Sequence, residues 1–366
     1  MPDDQTRSGS ATTVAQAIYE WAKAAGALAT GSQGSAMSDG DLWARLGLER
    51  TQKLDMAEAT LKRLRIIAIT GDDNAKLVGV LVRNQVTPTA QRRLPATVGD
   101  VSIRYIGHTV IEQMPPLVPH ASPISGPRFA VVNGRFACGS SITAAPIPSA
   151  GTLGALLRLT DGTLCGLSNN HVTGDCNHTQ KNMYVLCPSP IDADPSLPPP
   201  TAIGRHHALV QLRSGDPGQV ARQEVDAAIF RIENPDLVTS WQGQSIYDTP
   251  VTTAPLIGGM KVKKLGRTTG VTTGRVVGPV LTPLEVPYQS PNFRSKVHFT
   301  GVWSVQSIGG DPFSEAGDSG SLVVTDDGKH AVGLLFGGSG PVGMIMPIDK
   351  VLDAFGGASL VGGHNL

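Results

Sequence analysis

The chain has 366 residues and carries 30 basic and 30 acidic side chains, so no net charge draws it to nucleic acid or to anionic membranes. Glycine and proline together make 70 residues (43 plus 27), which favours a turn-rich β protein over a helical one. No apolar run approaches the roughly eighteen residues of a membrane span. The length is sufficient for two or three domains, each with its own core.

The first five residues are acidic and lack the charged-then-apolar layout of a signal peptide, so we expect the chain to stay in the cytoplasm. Its few cysteines do not suggest a secreted disulfide scaffold, and we expect them to be reduced thiols: Cys138, Cys165, Cys176 and Cys187. Cys176 and His178 have the spacing of half a zinc site, but no second pair completes it. We therefore expect neither a metal nor a cofactor.

Residues 1–106 predict a helical and α+β module. Apolar side chains at helical spacing indicate helices over residues 13–28, 41–46 and 53–64. Strands at residues 65–70 and 77–83, a helix at 88–94 capped by Thr87, and a strand at 101–106 complete the module. We interpret the apolar faces as core, with an interaction surface on the first helix as the alternative. Residues 107–126 are rich in proline and predict a linker.

His171 is the best candidate for a general base in residues 127–366, which we assign to the second domain. Two predicted strands at 152–159 and 163–167, joined by the turn pair Asp161-Gly162, precede it. The imidazole therefore lies just past a strand end, where a sheet presents side chains to a cleft. The Pro-rich loop that follows at residues 187–200 is long enough to suggest a lid, a partner site or a self-cleavage site.

Asp226 is the best candidate for a carboxylate that orients this base. It lies within the apolar residues 224–230, which predict a strand, and a buried carboxylate is costly unless it is paired. The alternative is a strand-end aspartate that accepts backbone N–H bonds. The rival acids lie in Pro- or Gly-rich loops: Asp175, Asp192, Asp194 and Asp216.

Ser319 is the candidate nucleophile, in Gly317-Asp318-Ser319-Gly320-Ser321. Glycines on both sides allow a tight turn and a close approach to substrate. Two N–H groups in such a turn can point at one spot, where a developing oxyanion would lie. A serine hydroxyl is a weak nucleophile near neutral pH and needs a base such as His171.

Further short apolar runs separated by turns predict an all-β barrel or sandwich, at residues 262–265, 275–280, 297–305, 321–324, 330–336 and 342–346. A closing helix is predicted at 349–355, ended by Gly356. A basic cluster is interpreted as a solvated strand face: Lys261, Lys263, Lys264 and Arg267.

Several motifs occur here in the order His171, Asp226, Ser319, and together they resemble the trypsin-like serine peptidases of the chymotrypsin superfamily. More narrowly, they resemble the intracellular narrow-leaf type of plants and its bacterial relatives. The matching stretches are residues 151–154, 167–172, 225–229, 264–270, 317–323 and 331–339. The resemblance implies a mainly β fold with two six-stranded barrels after a small α+β module, and an active site between the barrels. Val172 stands where secreted members carry a bridged cysteine.

The resemblance also implies the site residues. His171 would be the base, Asp226 the orienter and Ser319 the nucleophile, with the amides of Gly317 and Ser319 as the oxyanion hole. Phe313, six residues before the serine, would floor the specificity pocket and disfavour Lys or Arg substrates. Three further residues would form the pocket wall and pair with an extended peptide: Gly337, Gly338 and Ser339.

These expectations combine into an intracellular serine endopeptidase that forms an acyl-enzyme and is regulated by its N-terminal module. Protein or peptide substrates and a homo-oligomeric assembly are the expected partners, without nucleic acid or membrane. The first alternative is a weakly active or non-cleaving scaffold or regulatory protein on the same fold. A hydrolase of non-peptide esters or amides is the second, because the same chemistry serves any acyl group.

Overall fold

The computed structural model describes residues 10–29, 46, 49, 51–107, 109, 128–195, 198–215 and 223–366. The predicted helix at 41–46 and the predicted linker at 107–126 lie outside these ranges except for isolated residues. The chain divides into two compact units. One comprises residues 1–110 and 277–284, and the other comprises residues 111–276 and 285–366.

The first unit combines a four-stranded sheet with helices. The helices are α1 Ala11–Ala24, α2 Gln52–Leu64 and α3 Pro88–Arg93. The strands are β1 Ile66–Asp72, β2 Leu77–Val82, β3 Thr97–Val98 and β4 Val101–Ile106, in the order β1-β2-β4-β3 with β2 and β4 parallel. Each helix begins at a hydroxyl N-cap, as Thr87 does for α3 by accepting from the Ala90 N–H. Residues 277–284 join this unit through a bridge between Val280 and Thr70.

The second unit begins with a small four-stranded sheet that sequence patterns did not predict. It takes two strands from residues 131–138 and two from residues 238–248. Strands β5 Val131–Val132 and β6 Arg135–Cys138 pair with each other. Strand β6 also runs parallel to β14 Val238–Gln242, which pairs with β15 Tyr247–Asp248. These strands are too short and too far apart in the sequence for periodicity to reveal them.

The first barrel is built on an eight-stranded sheet in the order β25-β9-β10-β13-β12-β11-β7-β8. Strand β8 continues through Leu153 and Gly154 into β9, which brings the two ends of the sheet together. Apolar side chains from facing strands, including Leu156, Val185 and Phe230, fill the interior. The strands are β7 Ser141–Ala144, β8 Gly151–Thr152, β9 Ala155–Arg158, β10 Leu164–Ser168, β11 Tyr184–Cys187, β12 Thr201–Leu209, β13 Ala228–Ile232 and β25 Ser359–Leu360.

The second barrel closes with six strands in the order β23-β22-β17-β18-β21-β24, because β23 also pairs with β24. Strand β16 adds to the outside of β23. The strands are β16 Thr252–Thr253, β17 Lys261–Gly266, β18 Gly270–Pro279, β21 Trp303–Ser307, β22 Leu322–Thr325, β23 His330–Ser339 and β24 Val342–Pro347. The closing helix α5 Ile348–Asp353 follows, after the short α4 Asn170–Thr173 of the first barrel.

The single strand predicted at residues 297–305 is wrong. The chain instead forms a hairpin, β19 Leu284–Ser290 with β20 Phe293–Phe299, and begins a separate strand β21 at Trp303. Gly301 has a φ of 70°, which interrupts the extended backbone between the two strands.

The predicted fold class is confirmed: the protein is mainly β, with two barrels preceded in the chain by a small α+β module with extra helices. Within the described part of the chain, no helix combines the length and the apolar character that crossing a membrane requires.

Candidate active site

His171 and Asp226 lie side by side in the first barrel. Strand β10 ends at Ser168, and His171 follows in the short helix α4. Its Nδ1 is 2.5 Å from Oδ2 of Asp226, and the aspartate is completely buried. The other carboxylate oxygen, Oδ1, accepts from the backbone N–H groups of Asn170 at 2.8 Å and His171 at 3.3 Å. One carboxylate therefore fixes both the imidazole and the start of the helix that carries it.

Asp226 precedes strand β13 and is not embedded in a strand, contrary to the prediction for residues 224–230. The physical reason is its set of partners. Its backbone N–H donates to Met346 Sδ and its carbonyl accepts from the Asn169 side-chain amide, so neither backbone group pairs with a neighbouring strand.

Ser319 lies on the loop before β22 of the second barrel, and Thr152 of the first barrel holds that loop. The Thr152 N–H donates to the Ser319 carbonyl, and the Thr152 hydroxyl donates to the Gly317 carbonyl, each at 2.8 Å. A Cβ at Gly320 would lie 2.4 Å from Ser168 Oγ, so the loop passes close to the strand that leads to His171. Among the described residues, no hydrogen bond joins Ser319 Oγ to His171, and Ser319 is 8% exposed.

The backbone of the serine loop leaves two donors available. Gly317 has a φ of 98°, and a Cβ there would lie 2.5 Å from Arg267 Nη1, so the position requires glycine. Within the described ranges, the N–H groups of Gly317 and Ser319 donate to no other group. These are the two amides that the sequence assigned to an oxyanion hole.

Asp318, between those two residues, forms a buried ion pair with Lys264 of β17. Lys264 Nζ lies 3.0 Å from Asp318 Oδ2, and both side chains are fully buried. The interpretation of Lys264 as part of a solvated face is therefore wrong. Lys264 is two residues from Val262, so the alternation of β17 places both on the inner face. The sequence could have indicated this burial, because a lysine two residues from an inward valine lies on the same face of the strand.

The remaining lone pairs of Asp318 are also occupied. Its carboxylate accepts from the Thr268 N–H at 2.8 Å, the Glu315 N–H at 2.9 Å and the Thr269 hydroxyl at 2.6 Å. Burial alone would raise the pKa of Asp318, but the Lys264 ammonium and these donors outweigh it and hold that pKa below its usual value. Asp318 is therefore a charged anchor for the serine loop.

Arg267 is a second buried cation beside this loop. Its guanidinium binds both carboxylate oxygens of Asp192, with Nε 2.6 Å from Oδ2. Arg128 and the Ser141 hydroxyl complete the partners of that aspartate. Arg267 does not belong to a solvated face, and the start of the Pro-rich loop at 187–200 is fixed through Asp192 to the β17–β18 turn.

The predicted pocket residues occupy two environments. Phe313 is fully buried in the core of the second barrel with Val305 and Ile345. Gly337, Gly338 and Ser339 form the end of β23, where they pair with β24. A Cβ at Gly337 would meet nothing within 4 Å, so space is open beside this strand end.

All four cysteines are buried and form no disulfide, and burial raises the pKa of Cys138 and Cys165 to about 12. Tyr288 of β19 was not predicted to belong to the site, yet its hydroxyl donates to Asp226 Oδ2 at 2.8 Å. Its signal is the alternation of Leu284, Val286 and Tyr288 on one buried face of the strand.

No protein-family model matches this chain, and no curated protein matches it. Among solved structures, Thermobifida fusca Protease A is similar over 62% of this chain and 100% of its own, with 20% identity and a TM-score of 0.40. Nocardiopsis protease is similar over 61% of this chain and 97% of its own, at 17% identity and a TM-score of 0.39. Cellulomonas bogoriensis chymotrypsin has the same coverage, 16% identity and a TM-score of 0.38.

Proposed function

We propose that this protein is a serine endopeptidase in which Ser319 attacks the peptide bond, His171 transfers the proton and Asp226 orients the imidazole. The observation that supports this most strongly is the buried hydrogen bond between His171 Nδ1 and Asp226 Oδ2. That bond leaves Nε2 of the ring as the position for taking a proton from a serine.

The chemistry follows from those positions. Ser319 Oγ adds to the peptide carbonyl as its proton passes to His171 Nε2, and Asp226 stabilises the imidazolium that forms. The N–H groups of Gly317 and Ser319 bind the oxyanion of the tetrahedral intermediate. The imidazolium then protonates the leaving amine, and an acyl-enzyme remains. Water repeats the two steps and releases the acid product.

The buried ion pair between Lys264 and Asp318 supports the same proposal. An oxyanion hole works by being organised before the reaction begins. Asp318 lies between the two proposed donor residues, and a fixed cation and four further donors, the three above and the Thr269 N–H at 3.1 Å, hold it in place.

We extend the proposal to the intracellular narrow-leaf type, located in the cytoplasm and assembled as a homo-oligomer. Val172 after the proposed base and four buried cysteines that form no disulfide support this extension. Protein or peptide substrates, selected against Lys and Arg by Phe313, and regulation by the N-terminal module remain predictions. A solution mass measurement tests the assembly.

A non-cleaving scaffold or regulatory protein is the second candidate. One observation favours it: within the described residues, Ser319 Oγ and His171 share no hydrogen bond. Such bonds are often long in a free enzyme and shorten when substrate binds, which is why we prefer the endopeptidase.

Labelling with a fluorophosphonate separates the two candidates. We expect the wild-type chain to be labelled once and the Ser319→Ala variant not at all, because the reagent requires an activated serine. Ser314→Ala is the matched control, since Ser314 lies in the same loop and its hydroxyl only donates one long hydrogen bond, of 3.4 Å, to the Gly338 carbonyl. It should label as the wild type does. Equal labelling of Ser319→Ala, or none of the wild type, would reject the endopeptidase.

Incubation with a peptide library then identifies the class of bond that the protein cleaves. Cleavage that depends on Ser319 supports an endopeptidase, whereas turnover of esters alone supports a hydrolase of non-peptide substrates. Mapping of new N-termini in a cell lysate, with the wild type and with Ser319→Ala, gives the natural substrates.

A further inference from the structure

Tyr288 contacts both members of the buried His–Asp pair. Its hydroxyl donates to Asp226 Oδ2 at 2.8 Å, the same oxygen that lies 2.5 Å from His171 Nδ1. Its ring meets the His171 ring edge-on, with centroids 5.6 Å apart and planes at 70°. The side chain is almost completely buried. We propose that Tyr288 is a positioning residue that acts on His171 through Asp226, an inference that rests on the proposed function.

The partners of Asp226 show why one more donor matters. Oδ1 accepts from two backbone N–H groups, and Oδ2 is shared by His171 and Tyr288. No lysine or arginine of the described chain forms an ion pair with this carboxylate. No permanent cation among the described residues therefore stabilises this buried carboxylate, and the Tyr288 hydroxyl is its side-chain partner besides His171.

Tyr288 acts as a donor throughout the working pH range. Burial, followed by the negative charge of Asp226, raises the pKa of Tyr288 well above its usual value. His171 and Cys176 are further titratable groups beside the phenol. A phenol that keeps its proton can only donate to Asp226, so it stabilises the carboxylate without supplying a charge of its own.

The hairpin that carries Tyr288 is fixed by aromatic contacts. The Tyr288 ring lies 6.0 Å from Phe299 of β20, and Phe299 lies 4.8 Å from Phe336 of β23. Strand β23 continues directly into Gly337, the open strand end described above. These rings set the depth at which the hydroxyl meets Asp226, so the β19–β20 hairpin contributes to the geometry of the base.

Tyr288→Phe tests this role because it keeps the ring and removes only the hydroxyl. We expect the limiting rate of fluorophosphonate labelling to fall about tenfold, the loss expected for one hydrogen bond to a charged group. The acid limb of the rate–pH profile should move to higher pH, because a carboxylate with one donor fewer holds the proton on the imidazole more strongly. The fluorophosphonate concentration that gives half of the limiting rate should not change.

The matched control is Tyr247→Phe. The Tyr247 hydroxyl is also buried but has no hydrogen-bond partner among the described residues. Its removal should leave both the rate and the profile unchanged. An unchanged rate and profile in Tyr288→Phe would overturn the positioning role.

A second measurement does not depend on catalysis. The proton between His171 Nδ1 and Asp226 should give a far-downfield NMR resonance. Tyr288→Phe should move it further downfield, because Oδ2 no longer shares its electron density with a second donor. Fluorotyrosine at position 288, a stronger donor that keeps the ring and fold, should move it upfield. If the resonance shifts in these two variants but the wild type is not labelled, the positioning role of Tyr288 is supported and the proposed endopeptidase is rejected. If the resonance moves in neither variant, the positioning role is rejected.

Discussion

Asp226 and Asp318 are both completely buried aspartates beside the proposed reaction centre, but their surroundings differ. Asp226 of the first barrel is surrounded by His171 and three neutral donors. Asp318 of the second barrel forms an ion pair with the Lys264 ammonium and also accepts a hydrogen bond from the Thr269 hydroxyl. A carboxylate that must stabilise a charge formed during the reaction cannot already be neutralised by a permanent cation. A carboxylate that only anchors a loop benefits from one, because the cation offsets its desolvation.

The largest expected effect comes from removing the charge of Asp226. Asp226→Asn should lower the rate of Ser319 acylation about 10⁴-fold while the fold persists, because an amide still accepts from the Asn170 N–H but favours the wrong imidazole tautomer. Labelling kinetics and the thermal midpoint of the same preparation measure the two quantities. A fall in stability without a specific loss of rate would make Asp226 a structural aspartate like Asp318.

Removing the cation of the other pair should act mainly on stability. Lys264→Met leaves Asp318 buried without a counter-charge, and the free energy of unfolding in urea should fall by about 3–5 kcal/mol. Lys261→Met on the same strand, where the side chain is exposed, should change it by less than about 0.5 kcal/mol.

The double variant Lys264→Met/Asp318→Asn sharpens this prediction. It removes both charges and should recover part of the lost stability, since an uncompensated charge is the main cost. If the single variant Lys264→Met were as stable as Lys261→Met, the ion pair would not be the anchor of the serine loop.

The smallest effect concerns the point where the two barrels approach. A Cβ at Gly154 would lie 2.1 Å from the carbonyl oxygen of Gly320, next to Ser319. Gly154→Ala should therefore cost about 1–3 kcal/mol through overpacking and should slow labelling by displacing the serine loop. Gly337→Ala, where a Cβ meets nothing within 4 Å, is the control for stability. Equal stability of the two variants would show that the backbone adjusts without cost.

Local patterns predicted the elements that follow from spacing along the chain. The strand Val101–Ile106 has the predicted bounds, and helix α3 begins at Pro88 behind its Thr87 cap as expected. His171 lies just beyond a strand end, and Asp226 is buried and paired with it, as the cost of an isolated buried carboxylate suggested. The strand break at Gly301 was missed because the apolar residues on either side kept a continuous pattern.

The sequence by itself determined the chemical types at the site, an imidazole, an acid and a serine between glycines, and the alternation that directs side chains inward. Only the tertiary structure decided which distant groups meet. Lys264 and Asp318 are 54 residues apart, Asp226 and Tyr288 are 62 apart, and Asp192 and Arg267 are 75 apart. Periodicity specifies the face on which a side chain lies, but the partner across a barrel depends on strand order and register, which no local pattern encodes.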